Sequence, residues 1–232
     1  MKKIYHWIKG LFGFERVLFA DLDGTIIVTK SGKTFPENCD DWKFKDGILG
    51  ALKKYNPTHL HIVSNQGGIE KGFFTDEEFR EKIQSIIVEL CEVLPQTKIN
   101  YAYCSTNDKN NRFRKPNIGM LEYFYHDCIF GNDFNKNNAL MIGDASGLKG
   151  QFSDSDYECA KRFGIKYIDV DYFIKWGNPC KYCGCNNSQD CKYVQDPNIV
   201  GLFPCNSDLS LEQWSIKFLN ERRHGREEEK SV

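Results

Sequence analysis

Val17-Leu18-Phe19-Ala20-Asp21-Leu22-Asp23-Gly24-Thr25 is an apolar run that carries two carboxylates, two residues apart, onto a Gly-Thr turn. Four consecutive apolar residues suit a strand buried on both faces of a parallel sheet, and such sheets bind ligands where the chain leaves the carboxyl end of a strand. Asp21 stands at that exit. Side chains alternate across a strand, so Asp21 and Asp23 share an orientation if the extended conformation persists, and Gly24 lets the backbone turn sharply beside a ligand. One carboxylate is then placed to attack while its neighbour handles protons. A strand followed by an ordinary Asp-Gly turn accounts for these nine residues equally well, so the decision falls to partners downstream.

Strand-like and helix-like segments alternate from residue 17 to about residue 175, the pattern of a parallel sheet covered by helices. The spacing predicts a long loop over Thr29–Lys45, a helix over Asp46–Tyr55 and a strand over His59–Val63 that ends at Ser64-Asn65-Gln66-Gly67-Gly68. Thr75–Leu94 is the clearest helix: Thr75 and Glu78 have capping-box spacing, and Phe79, Ile83, Ile86, Ile87, Leu90 and Leu94 recur on one face. A strand over Asn100–Cys104, a polar loop over Ser105–Arg112 and a helix opening near Pro116 and Gly119 follow. Then come a strand over Ala139–Ile142 into Gly143-Asp144, a helix over Ser153–Phe163 and a strand over Lys166–Val170. The expected class is α/β, a three-layer α/β/α Rossmann-like fold with a central parallel sheet in residues 1–177. Such units set loop residues from several strands along one edge, so Asp21, Ser64 and Asp144 can meet.

Those partners complete a phosphoryl-transfer site, which needs a carboxylate nucleophile, a proton handler, a cation and a divalent metal. Asp21 attacks phosphorus and Asp23 protonates the leaving alcohol, then deprotonates the hydrolytic water. Ser64 and Asn65 offer donors to phosphate oxygens, and Lys115 supplies a compact positive charge. Asp144, with Asp21 and the Asp23 backbone carbonyl, completes an oxygen-rich site that suits Mg²⁺. Each part has a bland alternative, a helix cap, a surface lysine or a turn. Their joint occurrence in the required order favours catalysis.

Composition narrows the class. Hydrophobic residues make up 41% of the 232 residues and aromatics 14%, which excludes general disorder. No apolar stretch approaches the roughly 20 residues needed to span a bilayer. The cationic, aromatic segment over residues 1–14 lacks the uninterrupted apolar run and small-residue cleavage site of a signal peptide. A formal net charge of −1 confines any nucleic-acid surface to a local patch. Ten cysteines without a signal sequence point to an intracellular, reducing compartment, nucleus or cytoplasm. Five of them crowd into residues 178–232, a Cys-rich segment followed by a helix. Cys180, Cys183, Cys191 and Cys205 are the donors for a structural Zn²⁺, with plain reduced thiols the alternative.

Asp21-Leu-Asp23-Gly-Thr25, Ser64-Asn65, Lys115 and Gly143-Asp144 resemble the four motifs of the haloacid dehalogenase superfamily of phosphatases. Thr29-Lys-Ser-Gly-Lys33-Thr-Phe-Pro36 with Asp41-Trp42, Asn65-Gln-Gly-Gly-Ile69, Arg114-Lys-Pro-Asn-Ile-Gly-Met120, Gly143-Asp-Ala-Ser-Gly147 and Phe152-Ser-Asp-Ser-Asp156 carry a narrower resemblance. They are similar to the 3′-phosphatase domain of polynucleotide kinase 3′-phosphatases, over roughly residues 15 to 175. The resemblance implies a haloacid dehalogenase fold with a minimal cap, and hydrolysis of a DNA 3′-phosphate through an aspartyl phosphate with Mg²⁺. It sets Thr25, Lys33, Asn65, Gln66, Lys71 and Arg114 around the substrate, and Asp154 or Asp156, the latter the better match to the family pattern, as a supporting acid for the metal. Ser64 stands where the family often has Thr, and Lys71 where it usually has Arg, which gives up fork-like phosphate binding. No Gly-x-x-x-x-Gly-Lys-Ser/Thr loop is present, so no 5′-kinase activity is expected.

Lys30, Lys33, Lys43, Lys45, Lys71, Lys109, Arg112 and Arg114 lie in loops around this site and can track a phosphodiester backbone, while Trp42, Phe73, Phe74 and Phe113 can stack on an unpaired base. Two rivals remain. One is a small-molecule phosphatase of the histidinol-phosphate or heptose-bisphosphate type, whose relatives usually carry a Cys/His zinc loop where this chain has only Cys104. The other is a non-catalytic DNA-end-binding protein acting through a zinc-binding tail.

Overall fold

The computed structural model describes residues 15–34, 36–126 and 134–177. Cys180, Cys183, Cys191 and Cys205, the Cys-rich segment and the amino-terminal segment lie outside the described residues. In chain order the strands and helices are β1 (Val17–Ala20), β2 (Ile27–Val28), β3 (Lys43–Phe44), α1 (Ile48–Tyr55), β4 (His59–Asn65), α2 (Asp76–Val93), β5 (Lys98–Cys104), α3 (Gly119–His126), β6 (Ala139–Gly143), α4 (Ser155–Phe163), β7 (Lys166–Asp169) and α5 (Val170–Gly177).

β1 is buried along its whole length, as an apolar run on both faces requires, and it takes the centre of a five-stranded parallel sheet of order β5-β4-β1-β6-β7. The register sets Ala20 beside Ile62 of β4 and Ile142 of β6. Asp21 continues the ladder by one step, its N–H donating to the Ile142 carbonyl at 3.0 Å. The carboxyl ends of β1, β4 and β6 therefore form one edge, with Asp21 between Ser64 and Asp144. A parallel sheet with helical crossovers is the architecture the alternating pattern predicts.

α2 is anchored by its capping box: Glu78 N–H donates to Thr75 Oγ1 at 3.1 Å, and Thr75 N–H to Glu78 Oε2 at 2.6 Å. Phe79, Ile83, Ile86 and Leu90 are buried beneath it. Two boundaries differ from the sequence expectation for physical reasons. Gly47 sits in the left-handed region at φ 83°, so α1 opens at Ile48 rather than Asp46. The stretch expected as one loop, Thr29–Lys45, ends instead in the strand partner of an antiparallel pair, Ile27 opposite Phe44 and Val28 opposite Lys43. Two residues per strand are too few to show alternation. Asp41 ties that excursion together, accepting from Ser31 N–H (2.8 Å), Ser31 Oγ (2.7 Å) and Glu37 N–H (2.9 Å). Those bonds, Ser31 Oγ foremost, hold its carboxyl down at about 2.

No helix among the described residues is long and apolar enough to cross a membrane. His61, 6% exposed, stacks on Phe124 with ring centroids 4.2 Å apart and leaves Nδ1 without a hydrogen-bond partner among the described residues. Burial, with a smaller push from His59, takes its pKa from 6.5 down to about 3. Below 6.5 the unfolded chain binds a proton that the folded chain refuses, so His61 costs no stability above that pH and progressively more as pH falls towards 3. The slope is at most about 1.4 kcal/mol per pH unit. Thermal melts of H61F are therefore expected to fall less steeply than wild type between pH 6.5 and 4; parallel curves would show that His61 plays no part in acid sensitivity.

Candidate active site

The site is assembled around Lys115, from the loop that precedes α3. Its Nζ lies 2.6 Å from Asp21 Oδ1 and 2.7 Å from Asp156 Oδ1, and donates to the Val63 carbonyl at 2.8 Å. All three charged groups are buried. Asn65, at the end of β4, fixes the Lys115 backbone from both sides: Lys115 N–H donates to Asn65 Oδ1 at 2.9 Å, and Asn65 Nδ2 donates to the Lys115 carbonyl at 3.0 Å. Asn65 thus spends its carboxamide on the lysine backbone.

Asp144 completes the cluster. One carboxylate oxygen from each of Asp21, Asp144 and Asp156 lies within 4.8 Å of the others. Two glycines make the crowding feasible. A Cβ at Gly24, whose φ is +81°, would fall 2.2 Å from Asp144 Oδ2, and one at Gly143 would fall 2.3 Å from Asp156 Oδ2. The loop after β6 is fixed from behind, where the Ser146 hydroxyl lies 2.7 Å from both Asp169 Oδ2 and the Tyr167 hydroxyl, and Gln151 donates to Asp169 at 2.9 Å. Tyr167 donates to the Gly143 carbonyl at 2.9 Å.

Charge is unbalanced here. Among the described residues three carboxylates face the Lys115 ammonium, with Lys45 a weaker pull on Asp144, so negative charge exceeds positive in the ionised cluster. Burial first, then Asp156, pushes Asp144 up to about 6. Burial also drives Asp21 well above the carboxylate range against the pull of Lys115, with Asp156 and Asp144 adding to it. Burial opposes the charge on Lys115, yet Asp156 and Asp21 more than offset that and hold its pKa above the lysine range. A divalent cation on Asp21, Asp144 and Asp156 would restore balance, and an all-oxygen donor set suits a hard ion such as Mg²⁺.

Asp23 stands apart from the cluster, its side chain about half exposed. Gln66 Nε2 donates to its Oδ2 at 2.6 Å and to Ser64 Oγ at 2.7 Å, while Lys82 Nζ lies 3.4 Å from its Oδ1. Thr25 is fully buried with no hydrogen-bond partner for Oγ1 among the described residues. The outer loop residues are spread more widely. Lys33 is exposed and paired with Glu37, Arg114 donates to the Thr106 carbonyl at 2.7 Å, and Lys71 is exposed with Nζ 6.0 Å from the Phe73 ring.

Three side chains gain weight from the structure. Asp156, expected only as a supporting acid, is a direct partner of Lys115. Lys82 is absent from the sequence expectation, although a lysine between Phe79 and Ile83 on the apolar face of α2 is a signal the pattern contains. Lys45 donates to the Gly24 carbonyl at 2.9 Å, bracing the turn after Asp23 from 21 residues away.

The family model described as polynucleotide kinase 3 phosphatase matches residues 16–173. The chain belongs to that family. Polynucleotide kinase 3 phosphatases of this kind are haloacid dehalogenase superfamily phosphatases, and the central parallel sheet is the fold they share. Among curated relatives, a bifunctional polynucleotide phosphatase/kinase of Schizosaccharomyces pombe is 32% identical over 163 residues, 69% of this chain and 38% of its own length. The chain thus spans well under half of that relative. A probable D-glycero-D-manno-heptose-1,7-bisphosphate 7-phosphatase of Thermoplasma acidophilum is 30% identical over 140 residues, 60% of this chain and 83% of its own length. A solved D,D-heptose 1,7-bisphosphate phosphatase of B. bronchiseptica, complexed with magnesium and phosphate, shares the fold at a TM-score of 0.51 and 18% identity, covering 66% of this chain and 78% of the other.

The charge imbalance makes a prediction that needs no substrate. Magnesium is expected to raise the melting temperature, by the equivalent of about 2.7 kcal/mol at a hundredfold excess over its Kd. D144N should weaken that shift severalfold or more. A melting temperature indifferent to magnesium and EDTA would remove the cation from this site.

Proposed function

We propose that the chain is a Mg²⁺-dependent phosphatase that removes the 3′-phosphate from DNA ends through an aspartyl phosphate on Asp21. The observation that carries the chemistry is Asp21 held at 2.6 Å by the Lys115 ammonium, with Asp23 two residues further on and turned towards different partners. Lys115 orients the attacking carboxylate and offsets charge on the phosphate. Asp21 forms the new bond to phosphorus, and Asp23 gives a proton to the leaving oxygen and later takes one from water. Ser64 and Thr25 bring hydroxyls to the same edge. A bound Mg²⁺ would offset charge on the transferring phosphoryl group.

Membership of the polynucleotide family supports DNA as the substrate, and so does the distribution of charge beside the site. A shallow groove of about 400 Å³ is lined by Lys109, Arg112 and Arg162, with Asn110 and Asn117, and contains one acid, Glu122, which is paired with Arg112 at 3.2 Å. Arg162 Nη1 lies 3.5 Å from the Pro116 carbonyl, next to Lys115, and Asp156 and Arg162 are six residues, about 9 Å, apart along α4. A basic groove beside the Lys115 loop suits the backbone of a strand.

A second reading has its own support: the T. acidophilum heptose-bisphosphate relative aligns over most of its length. Phosphate release from a 3′-phosphorylated oligonucleotide, compared with heptose 1,7-bisphosphate and histidinol phosphate, separates the two. Faster turnover of either small molecule would overturn the DNA reading while leaving the chemistry intact. D21N is expected to reduce turnover of every substrate to background with the fold unchanged by circular dichroism. In K109A/R112A, the salt dependence of kcat/KM on the oligonucleotide should flatten by about 0.7 log units per log unit of salt for each phosphate no longer neutralised. An unaltered slope would take the strand out of the groove.

A further inference from the structure

Lys82 is an anomaly that the phosphatase motifs leave unexplained. It falls on the stripe of α2 formed by Phe79, Ile83, Ile86 and Leu90, and its side chain is 7% exposed. An ammonium placed there is costly unless it has a counter-charge. The counter-charge is Asp23, from the turn after β1: Lys82 Nζ lies 3.4 Å from Oδ1, while Gln66 Nε2, from the end of β4, holds Oδ2 at 2.6 Å. Both oxygens of one half-exposed carboxyl are thus engaged, each by a donor from a different element. An ammonium and a carboxamide N–H have only hydrogens to give. Neither can relieve Asp23 of a proton, so these two partners do not compete with substrate or water for one.

We propose that Lys82 is a positioning residue for Asp23, holding its carboxyl in the one orientation from which it serves the leaving oxygen; this rests on the reading of Asp21 as nucleophile and Asp23 as proton carrier. In the first half-reaction an Asp21 oxygen bonds to phosphorus and the P–O ester bond breaks. The electron pair stays on the leaving oxygen, which takes the proton from Asp23 and departs as the alcohol. In the second half a water oxygen bonds to phosphorus, the Asp21–phosphorus bond breaks, and Asp23 receives a proton from that water. Asp21 returns as carboxylate and inorganic phosphate leaves. Only a leaving group that needs a proton depends on the first of these transfers, and so on Lys82.

The test compares two probes at one pH with magnesium present. β-Glycerophosphate is an alkyl ester whose leaving oxygen must be protonated, and p-nitrophenyl phosphate releases a phenolate that needs no proton. Neither contains a nucleotide, so the outcome is independent of the DNA reading. D23N is expected to lose roughly 10²-fold more activity on the alkyl ester than on the aryl ester. K82M should show the same bias in kcat at about tenfold, with KM little changed, and K82R should restore much of the wild-type ratio. A ratio of rates does not change with the fraction of molecules folded, so a purely structural defect lowers both substrates together. Equal losses in K82M, or no loss, would overturn the positioning role. Absence of bias in D23N would overturn Asp23 as proton carrier, and the proposal with it.

Discussion

A buried lysine ammonium is the constraint around which this molecule is built. Lys115 Nζ, 2.6 Å from Asp21 and 2.7 Å from Asp156, has been removed from water together with both its counter-charges. Stranding one member of such a group costs about 3–5 kcal/mol, so the segments that deliver the three residues must be held in fixed relation. β1 delivers Asp21 at the middle of the sheet, where both neighbouring strands can support it. The start of α4 delivers Asp156. Asn65 takes the Lys115 backbone by its N–H and its carbonyl, tying the lysine loop to the strand beside the nucleophile.

The same interaction leaves the site electrostatically incomplete, and that incompleteness has a use. With Asp144 drawn in against Gly24 and Asp156 against Gly143, negative charge exceeds positive, and burial first, then the neighbouring carboxylates, raises the pKa values of Asp21 and Asp144. A site in this condition favours a divalent cation. Asp23 lies outside the crowded cluster, under the separate control of Gln66 and Lys82. Two carboxylates two residues apart are thereby given different surroundings and can perform different tasks.

Substrate choice belongs to another layer. Relatives named for polynucleotides and for heptose bisphosphates both match this chain, because phosphoryl chemistry at a strand edge does not specify the leaving group. The excursion closed by Asp41 and the Lys109–Arg112 stretch with its basic groove are loops that the sheet anchors.

The sheet and the order of its motifs were legible in the sequence because each rests on local chemistry. The run Val17–Ala20 demands burial on both faces, Thr75 and Glu78 announce a helix start, Asp21, Ser64 and Asp144 each close or follow a strand of recognisable pattern, and Lys115 precedes a helix opened by Pro116 and Gly119. The β2–β3 pairing was not legible, since two-residue strands have no period to detect. Pairwise geometry was not legible either. Asn65, expected to face phosphate, is engaged by the Lys115 backbone; Asp156, expected to support, is an ion-pair partner; and Lys82 reaches Asp23 from 59 residues away. Such partnerships depend on which elements lie side by side after folding, and nothing within one segment records its neighbour. The sequence by itself determined the chemistry on offer and the strand edge where it gathers. Only the tertiary structure decided which charge faces which, because burial and proximity are properties of the packed chain.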